Sequence, residues 1–201
     1  GLGPPVTTID TPAAGLDRAV RLSQYPVVHL PPGEVTDVSG LGVLTLLHDL
    51  YSPAEMAAGG EVLIRTADTG IYAAWVKWNG LCGDDAPICI EVNPTFWSTT
   101  QTNRAVMAHE WAHVITNRYQ QQIAGAQATR FNQPLDLVNQ ECMADSLAAI
   151  VLARGGFPPS LGRYQCDVYW TGQGHDPGEM ERLSGALAQT VIAWAAHSQG
   201  T

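Results

Sequence analysis

Residues 109–113 read His-Glu-Trp-Ala-His, a spacing suited to metal-assisted hydrolysis. On a helix, positions i and i+4 lie on one face, so His109 and His113 can present two imidazole nitrogens to one metal ion. Glu110 is offset by about 100° around the helix axis and can reach a water on that ion without binding the ion itself. Zinc lowers the pKa of its water and polarises a carbonyl, and a neighbouring carboxylate can take the proton. These residues predict a hydrolytic zinc centre.

A second pair of residues with the same spacing offers the third metal ligand. Residues 141–145 read Glu-Cys-Met-Ala-Asp, within a stretch with a helical pattern. Catalytic zinc with two histidine ligands needs another protein donor and keeps one position open. We therefore assign Glu141 as the third ligand, and we expect Asp145 to accept the other ring N–H of a ligating histidine. The alternative is that both carboxylates lie on a solvated helix face.

Both motifs fall in the second half of the chain, where the pattern is helical, and the predicted strands precede them. Apolar spacing predicts helices at about 12–24, 41–50, 53–58, 100–124, 134–154 and 177–197, and strands at 61–66, 71–78 and 88–92. A capping box at Ser98–Gln101 begins the helix of the first motif, and a buried stripe is expected along it at Ala105, Ala108, Ala112 and Ile115. This order indicates an α+β fold. We expect an extended arm and helix over residues 1–40 and one domain over 41–201.

Composition excludes several classes of protein. The chain has 201 residues, 45% of them hydrophobic and only 14% charged, which suits a folded domain rather than a disordered chain. Its net charge of −9 makes nucleic acid or an anionic membrane a poor partner. No apolar run approaches the roughly 20 residues that cross a bilayer. We expect a peptide or protein substrate as the partner, whereas the sequence leaves the oligomeric state open.

The four cysteines are Cys82, Cys89, Cys142 and Cys166. An even number in an acidic chain fits two disulfides and an exported protein. Cys82 and Cys89 enclose a short loop and could pair, and Cys142 could bond to Cys166. The alternatives are buried thiols in a cytosolic protein, or a cysteine-based zinc site, which the absence of Cys-x-x-Cys disfavours. The first residues, Gly-Leu-Gly-Pro-Pro, look like a processed or truncated start. From the cysteines we expect a secreted or extracytoplasmic protein, and the low-lysine, arginine-using composition indicates a bacterial source.

His-Glu-x-x-His followed by Glu-x-x-Ala-Asp resembles the gluzincin metallopeptidases, and most closely the bacterial family of neutral zinc metallopeptidases. Cys82-Gly83 and Cys89 strengthen this resemblance, which covers residues 62–182. It implies a zincin-like metallopeptidase domain, with a small mixed or antiparallel sheet packed on the active-site helix and further helices. By the same resemblance, the segment 88–92 would be the edge strand to which a substrate adds as a further strand.

Residues 174–182, Gly-His-Asp-Pro-Gly-Glu-Met-Glu-Arg, resemble a later segment of the same family. The resemblance implies that His175 stands just before a helix N-terminus and donates a hydrogen bond to the oxyanion. The spacing from His175 to Arg182 is one residue longer than the family pattern. Tyr164 and Tyr169 are alternative donors, and a histidine in a surface loop is the plainer interpretation.

Together these features predict a secreted zinc-dependent endopeptidase. Glu110 would act as the general base and then protonate the leaving amine. The alternatives are a non-catalytic zinc-binding protein of the same fold, acting as a binding partner, and a latent enzyme whose N-terminal arm covers the cleft.

Overall fold

The computed structural model describes residues 20–21, 40–60, 62–78, 80–83, 87–97, 99–131, 140–158 and 177–197. In this part of the chain a small sheet packs against a group of helices, which confirms the α+β class. The strands are β1 (Val20–Arg21), β2 (Val62–Thr66), β3 (Ala74–Lys77) and β4 (Ile88–Val92). The helices are α1 (Gly40–Leu50), α2 (Pro53–Ala58), α3 (Thr100–Arg118), α4 (Gln120–Phe131), α5 (Gln140–Arg154) and α6 (Pro177–His197).

The sheet has the strand order β1-β2-β4-β3. Strands β2 and β4 are parallel, whereas β1 and β3 are antiparallel to their neighbours. Alternate residues point to opposite faces. The inner face joins the main core through Val62, Ile64, Ala74, Ile90 and Val92. The outer face, which is turned away from the helices, carries a small separate cluster of Leu63, Cys82 and Cys89.

Two expectations about the sheet are wrong. The segment 88–92 is the interior strand β4, flanked by β2 and β3, and the strand at this edge of the described sheet is β3. The chain places β3 there by folding back antiparallel to β4, so that Ala74 lies opposite Val92. In addition, Val20 and Arg21 form a strand where the apolar spacing predicts a helix to about residue 24. Backbone pairing with Ile64 and Leu63 outweighs the local helical pattern there.

Helix α3 runs through the centre of the helical layer. Thr99 caps it, and the Thr99 hydroxyl accepts from the Thr102 amide at 3.2 Å. The predicted capping box at Ser98–Gln101 is therefore wrong, because the N-cap residue is Thr99, one position later than Ser98. The predicted helix over 100–124 is divided at Tyr119, after which α4 begins. The predicted apolar stripe is confirmed, since these four side chains are buried: Ala105, Ala108, Ala112 and Ile115.

Tyr51, which follows α1, and Glu55 of α2 tie helices α3 and α5 together. The Tyr51 hydroxyl donates to the Ala108 carbonyl of α3 at 2.6 Å, and the Trp111 indole N–H donates to the Glu55 carbonyl at 3.3 Å. The buried Glu55 carboxylate accepts from Arg154 of α5 at 2.8 Å. These contacts fix the end of α5 against α3.

Disulfides constrain both the sheet and helix α5. Cys82 and Cys89 are bonded to each other, as predicted, and close the loop between β3 and β4. Cys142 of α5 is also disulfide-bonded, and its sulfur accepts a 3.2 Å hydrogen bond from the Ser184 hydroxyl of α6. Cys166, its predicted partner, lies outside the described residues. None of the described helices has the length and apolar character that a membrane span requires.

Candidate metal centre

The three predicted metal ligands meet where α3 and α5 lie side by side. One turn of α3 separates His109 from His113, and Glu141 in the first turn of α5 faces both rings. The His109 Nε2 atom is 2.9 Å from one Glu141 carboxylate oxygen, and the His113 Nε2 atom is 3.1 Å from the other. The two Nε2 atoms are 3.0 Å apart. One donor atom from each residue therefore lies within 4.8 Å of the others, as a shared metal ion requires.

The donor atoms fit a zinc ion in both chemistry and spacing. Two imidazoles and one carboxylate form a known ligand set of catalytic zinc. Bonds of about 2.1 Å at tetrahedral angles hold ligand atoms about 3.4 Å apart, so the observed separations need to widen by only a few tenths of an ångström. Other divalent ions that accept nitrogen and oxygen ligands also suit this set, so the geometry defines a candidate metal site without naming the metal.

Asp145, one turn beyond Glu141 on α5, holds the ring of His109 from behind. Its carboxylate Oδ1 lies 2.6 Å from the His109 Nδ1 atom. Asp145 is buried, and its second oxygen has no hydrogen-bond partner among the described residues. The carboxylate favours a proton on Nδ1, which leaves the Nε2 lone pair directed at the metal position. This is the arrangement that the spacing of Glu141 and Asp145 predicts.

The electrostatics of the centre are those of one histidine, His109, held between carboxylates. Burial lowers the pKa of His109, but hydrogen bonds to Asp145 and Glu141 outweigh burial and raise that pKa to about 10. Burial raises the pKa of Glu141, and the hydrogen bonds from His109 and His113 outweigh it, so that the pKa falls well below its ordinary value. A divalent cation bound here would replace the proton of the charged His109 ring as the positive charge that the carboxylates surround.

Glu110 stands beside the three donors and belongs to no ion pair in the described part of the chain. Its side chain is buried, and the Oε2 atom has no hydrogen-bond partner there. Burial raises the pKa of Glu110, while the two neighbouring histidines oppose this shift. A buried carboxylate oxygen without a partner is costly unless it acts on something that enters the site. Its raised pKa suits a group that accepts and returns a proton.

An open cleft of about 660 Å³ leads to these residues. One wall is the edge of the sheet, formed by residues 72–76 and Trp78. The opposite wall and the floor are formed by α3 and α5, including small side chains at Ala105, Ala148 and Ala149. Glu141 is 45% exposed at its side chain because it lies in this cleft, whereas Asp145 is only 6% exposed behind it. This burial of Asp145 argues against the alternative of a solvated helix face.

Several predicted residues lie outside the described part of the chain: His175, Tyr164, Tyr169 and Cys166. Sequence reasoning also missed a group on the outer face of the sheet. There the buried Glu91 carboxylate accepts hydrogen bonds from Arg65, Trp75 and Lys77. The available signal was one acidic residue in the otherwise apolar strand Ile88–Val92, which implies a buried carboxylate that needs partners.

Comparison with known proteins found no matching family model, curated protein or solved structure.

Proposed function

We propose that this protein is a zinc-dependent endopeptidase of the gluzincin type, with a zincin-like fold. The observation that carries the proposal is Glu110, a buried carboxylate with an unpaired oxygen beside three metal-ligand atoms at the base of an open cleft. A purely structural metal site has no use for such a group. The Cys82–Cys89 disulfide and the disulfide-bonded Cys142 fit a secreted or extracytoplasmic bacterial protein.

His109, His113 and Glu141 would hold the zinc ion, with Asp145 fixing the His109 ring. Zinc bound there would activate a water molecule and polarise the carbonyl of the scissile peptide bond. Glu110 would accept the proton of the attacking water at its carboxylate group and then donate that proton to the leaving amine. Within this proposal His175 remains the predicted oxyanion donor, with Tyr164 and Tyr169 as alternatives.

The cleft suits an extended peptide. Strand β3 hydrogen-bonds to β4 on one side, and its other edge pairs with no strand among the described residues. That edge borders the cleft. A peptide can add to it as a further strand, with main-chain hydrogen bonds that are independent of sequence, and this carries its backbone past the metal centre. An open cleft of this kind favours cleavage within a chain rather than at its end.

The test compares wild type with Glu110→Gln, which keeps the shape of the side chain and removes its basicity. Each protein is loaded with zinc, its metal content is measured, and a diverse peptide library is digested and read by mass spectrometry. We expect wild type to cut internal peptide bonds and the zinc-loaded variant to make no cuts. Equal cleavage by both proteins would refute the role of Glu110. Zinc binding without cleavage by wild type would favour a non-catalytic or latent zinc protein, and removal of residues 1–19, which leaves strand β1 in place, would separate these two.

A further inference from the structure

A row of three side chains crosses the outer face of the sheet and ends at the cleft. Strand register places Arg65 of β2 opposite Glu91 of β4, and Glu91 opposite Trp75 of β3. Arg65 donates from Nε to one Glu91 oxygen at 2.8 Å, and the Trp75 indole N–H donates to the other at 2.7 Å. The row stops at Trp75, because no further strand follows β3 in the described sheet.

The Trp75 ring is held in one orientation by its neighbours. Lys77 places its Nζ atom 5.0 Å from the centre of the ring and also pairs with Glu91 at 2.8 Å. The Tyr72 ring packs on Trp75 at a centroid distance of 6.2 Å. Glu91, which anchors the indole, is only 5% exposed. Because the Trp75 ring is already fixed, it loses little conformational entropy when a ligand packs against it. The energy of that contact can therefore discriminate between ligand side chains.

A peptide that adds to the edge of β3 would extend this row by one place. Side chains directly opposite on neighbouring strands have Cβ atoms about 4.5–5.5 Å apart, and aromatic rings pair favourably there with aromatic and β-branched side chains. Resting on the proposed endopeptidase function, we propose that Trp75 is a specificity-determining residue. It selects an aromatic or β-branched side chain at one fixed position of the substrate strand. The expected preference over alanine is up to about fivefold, the equivalent of about 1 kcal/mol.

The experiment measures a ratio within each protein. Peptides that wild type cleaves are resynthesised with Phe, Val or Ala at each position in turn, and kcat/KM is determined for each peptide. We expect one position, at a fixed distance from the cut, where Phe and Val exceed Ala by up to about fivefold. In Trp75→Ala this ratio falls to about one. In Trp75→Phe, which keeps a ring and loses the hydrogen bond to Glu91, the preference remains. A partial loss of folded protein lowers both rates equally and leaves the ratio unchanged.

A second measurement separates this proposal from the proposed function. Dye-labelled library peptides that carry Phe, Val or Ala at each position in turn are titrated against zinc-loaded Glu110→Gln, with and without Trp75→Ala, and binding is read by fluorescence anisotropy. The same Trp75-dependent preference in binding supports the role of Trp75 even if wild type cleaves nothing, in which case only the endopeptidase function is refuted. An unchanged Phe-to-Ala ratio in Trp75→Ala overturns the proposal. So does a wild type that neither cuts nor binds these peptides.

Discussion

Asp145→Asn provides a quantitative test of how the metal centre is built. The Asp145 carboxylate lies 2.6 Å from the His109 Nδ1 atom and is buried, so the substitution removes a charge that water cannot replace. Loss of such a partner behind a metal-binding histidine lowers metal affinity by about 10- to 100-fold. We therefore expect the zinc dissociation constant to rise by that factor, with little change in side-chain volume.

The same change has a consequence for stability. At a free zinc concentration 1,000 times the wild-type dissociation constant, binding stabilises the folded state by about 4.1 kcal/mol. If zinc binds 10- to 100-fold more weakly, its binding stabilises the folded state by only about 2.7 to 1.4 kcal/mol at the same zinc concentration.

Zinc affinity is measured by competition with a chromophoric chelator, and unfolding by denaturant is followed with and without zinc. Asp49→Asn is the matched control, because Asp49 is an exposed α1 residue that pairs with Arg104 at 3.5 Å, away from the three donors. Its zinc affinity should equal that of wild type. The reasoning is refuted if Asp145→Asn binds zinc within about threefold of wild type.

Three further predictions concern stability and are read from denaturant unfolding of the metal-free protein. A Cβ atom on Gly59 would lie 2.6 Å from the Trp111 ring, so Gly59→Ala should lower the free energy of unfolding by about 1–3 kcal/mol. An unchanged denaturant midpoint would contradict the close packing of Gly59 against Trp111. Arg154→Met leaves the buried Glu55 charge without its partner and should lower the free energy of unfolding by about 3 kcal/mol. The double variant Arg154→Met, Glu55→Gln should recover part of this loss, because it also removes the unpaired charge. Burial raises the pKa of Glu91, but the hydrogen bonds from Lys77, Trp75 and Arg65 outweigh burial, so the pKa is lowered. The ionised Glu91 therefore stabilises the folded protein above pH 4.5, and this stabilisation is lost as the pH falls through the lowered pKa. Glu91→Gln should therefore flatten the fall in wild-type stability over that acid range, and an identical pH profile would refute this assignment.

The helical half of the chain and the side chains that meet at the candidate metal centre could be predicted from sequence because both depend on local spacing. His109 and His113 share a face through the helical repeat alone, and Glu141 and Asp145 repeat the same spacing. Bringing the two pairs together required in addition that α3 and α5 pack side by side, as they do in the structure.

The sheet was harder to predict because strand pairing is not local. Nothing in the sequence of β4 distinguishes an interior strand from an edge strand, since its neighbours are decided by how the chain folds back at residues 74–77. Likewise, Val20 and Arg21 form a strand only because β2 offers an edge for pairing. The cleft wall and the partners of Glu91 follow from this pairing, so they could not be placed in advance.

An edge strand that can accept a peptide, as proposed for β3, is equally open to a second copy of the protein. Unpaired strand edges are the usual starting points of aggregation, and short length and lysine are features that natural proteins use to limit it. Strand β3 has both, since it is four residues long and ends at Lys77. The net charge of −9 adds repulsion between molecules. Solubility therefore limits how long and how apolar the substrate-facing edge can become, and a variant that extends β3 to widen its substrate range should self-associate at lower concentration.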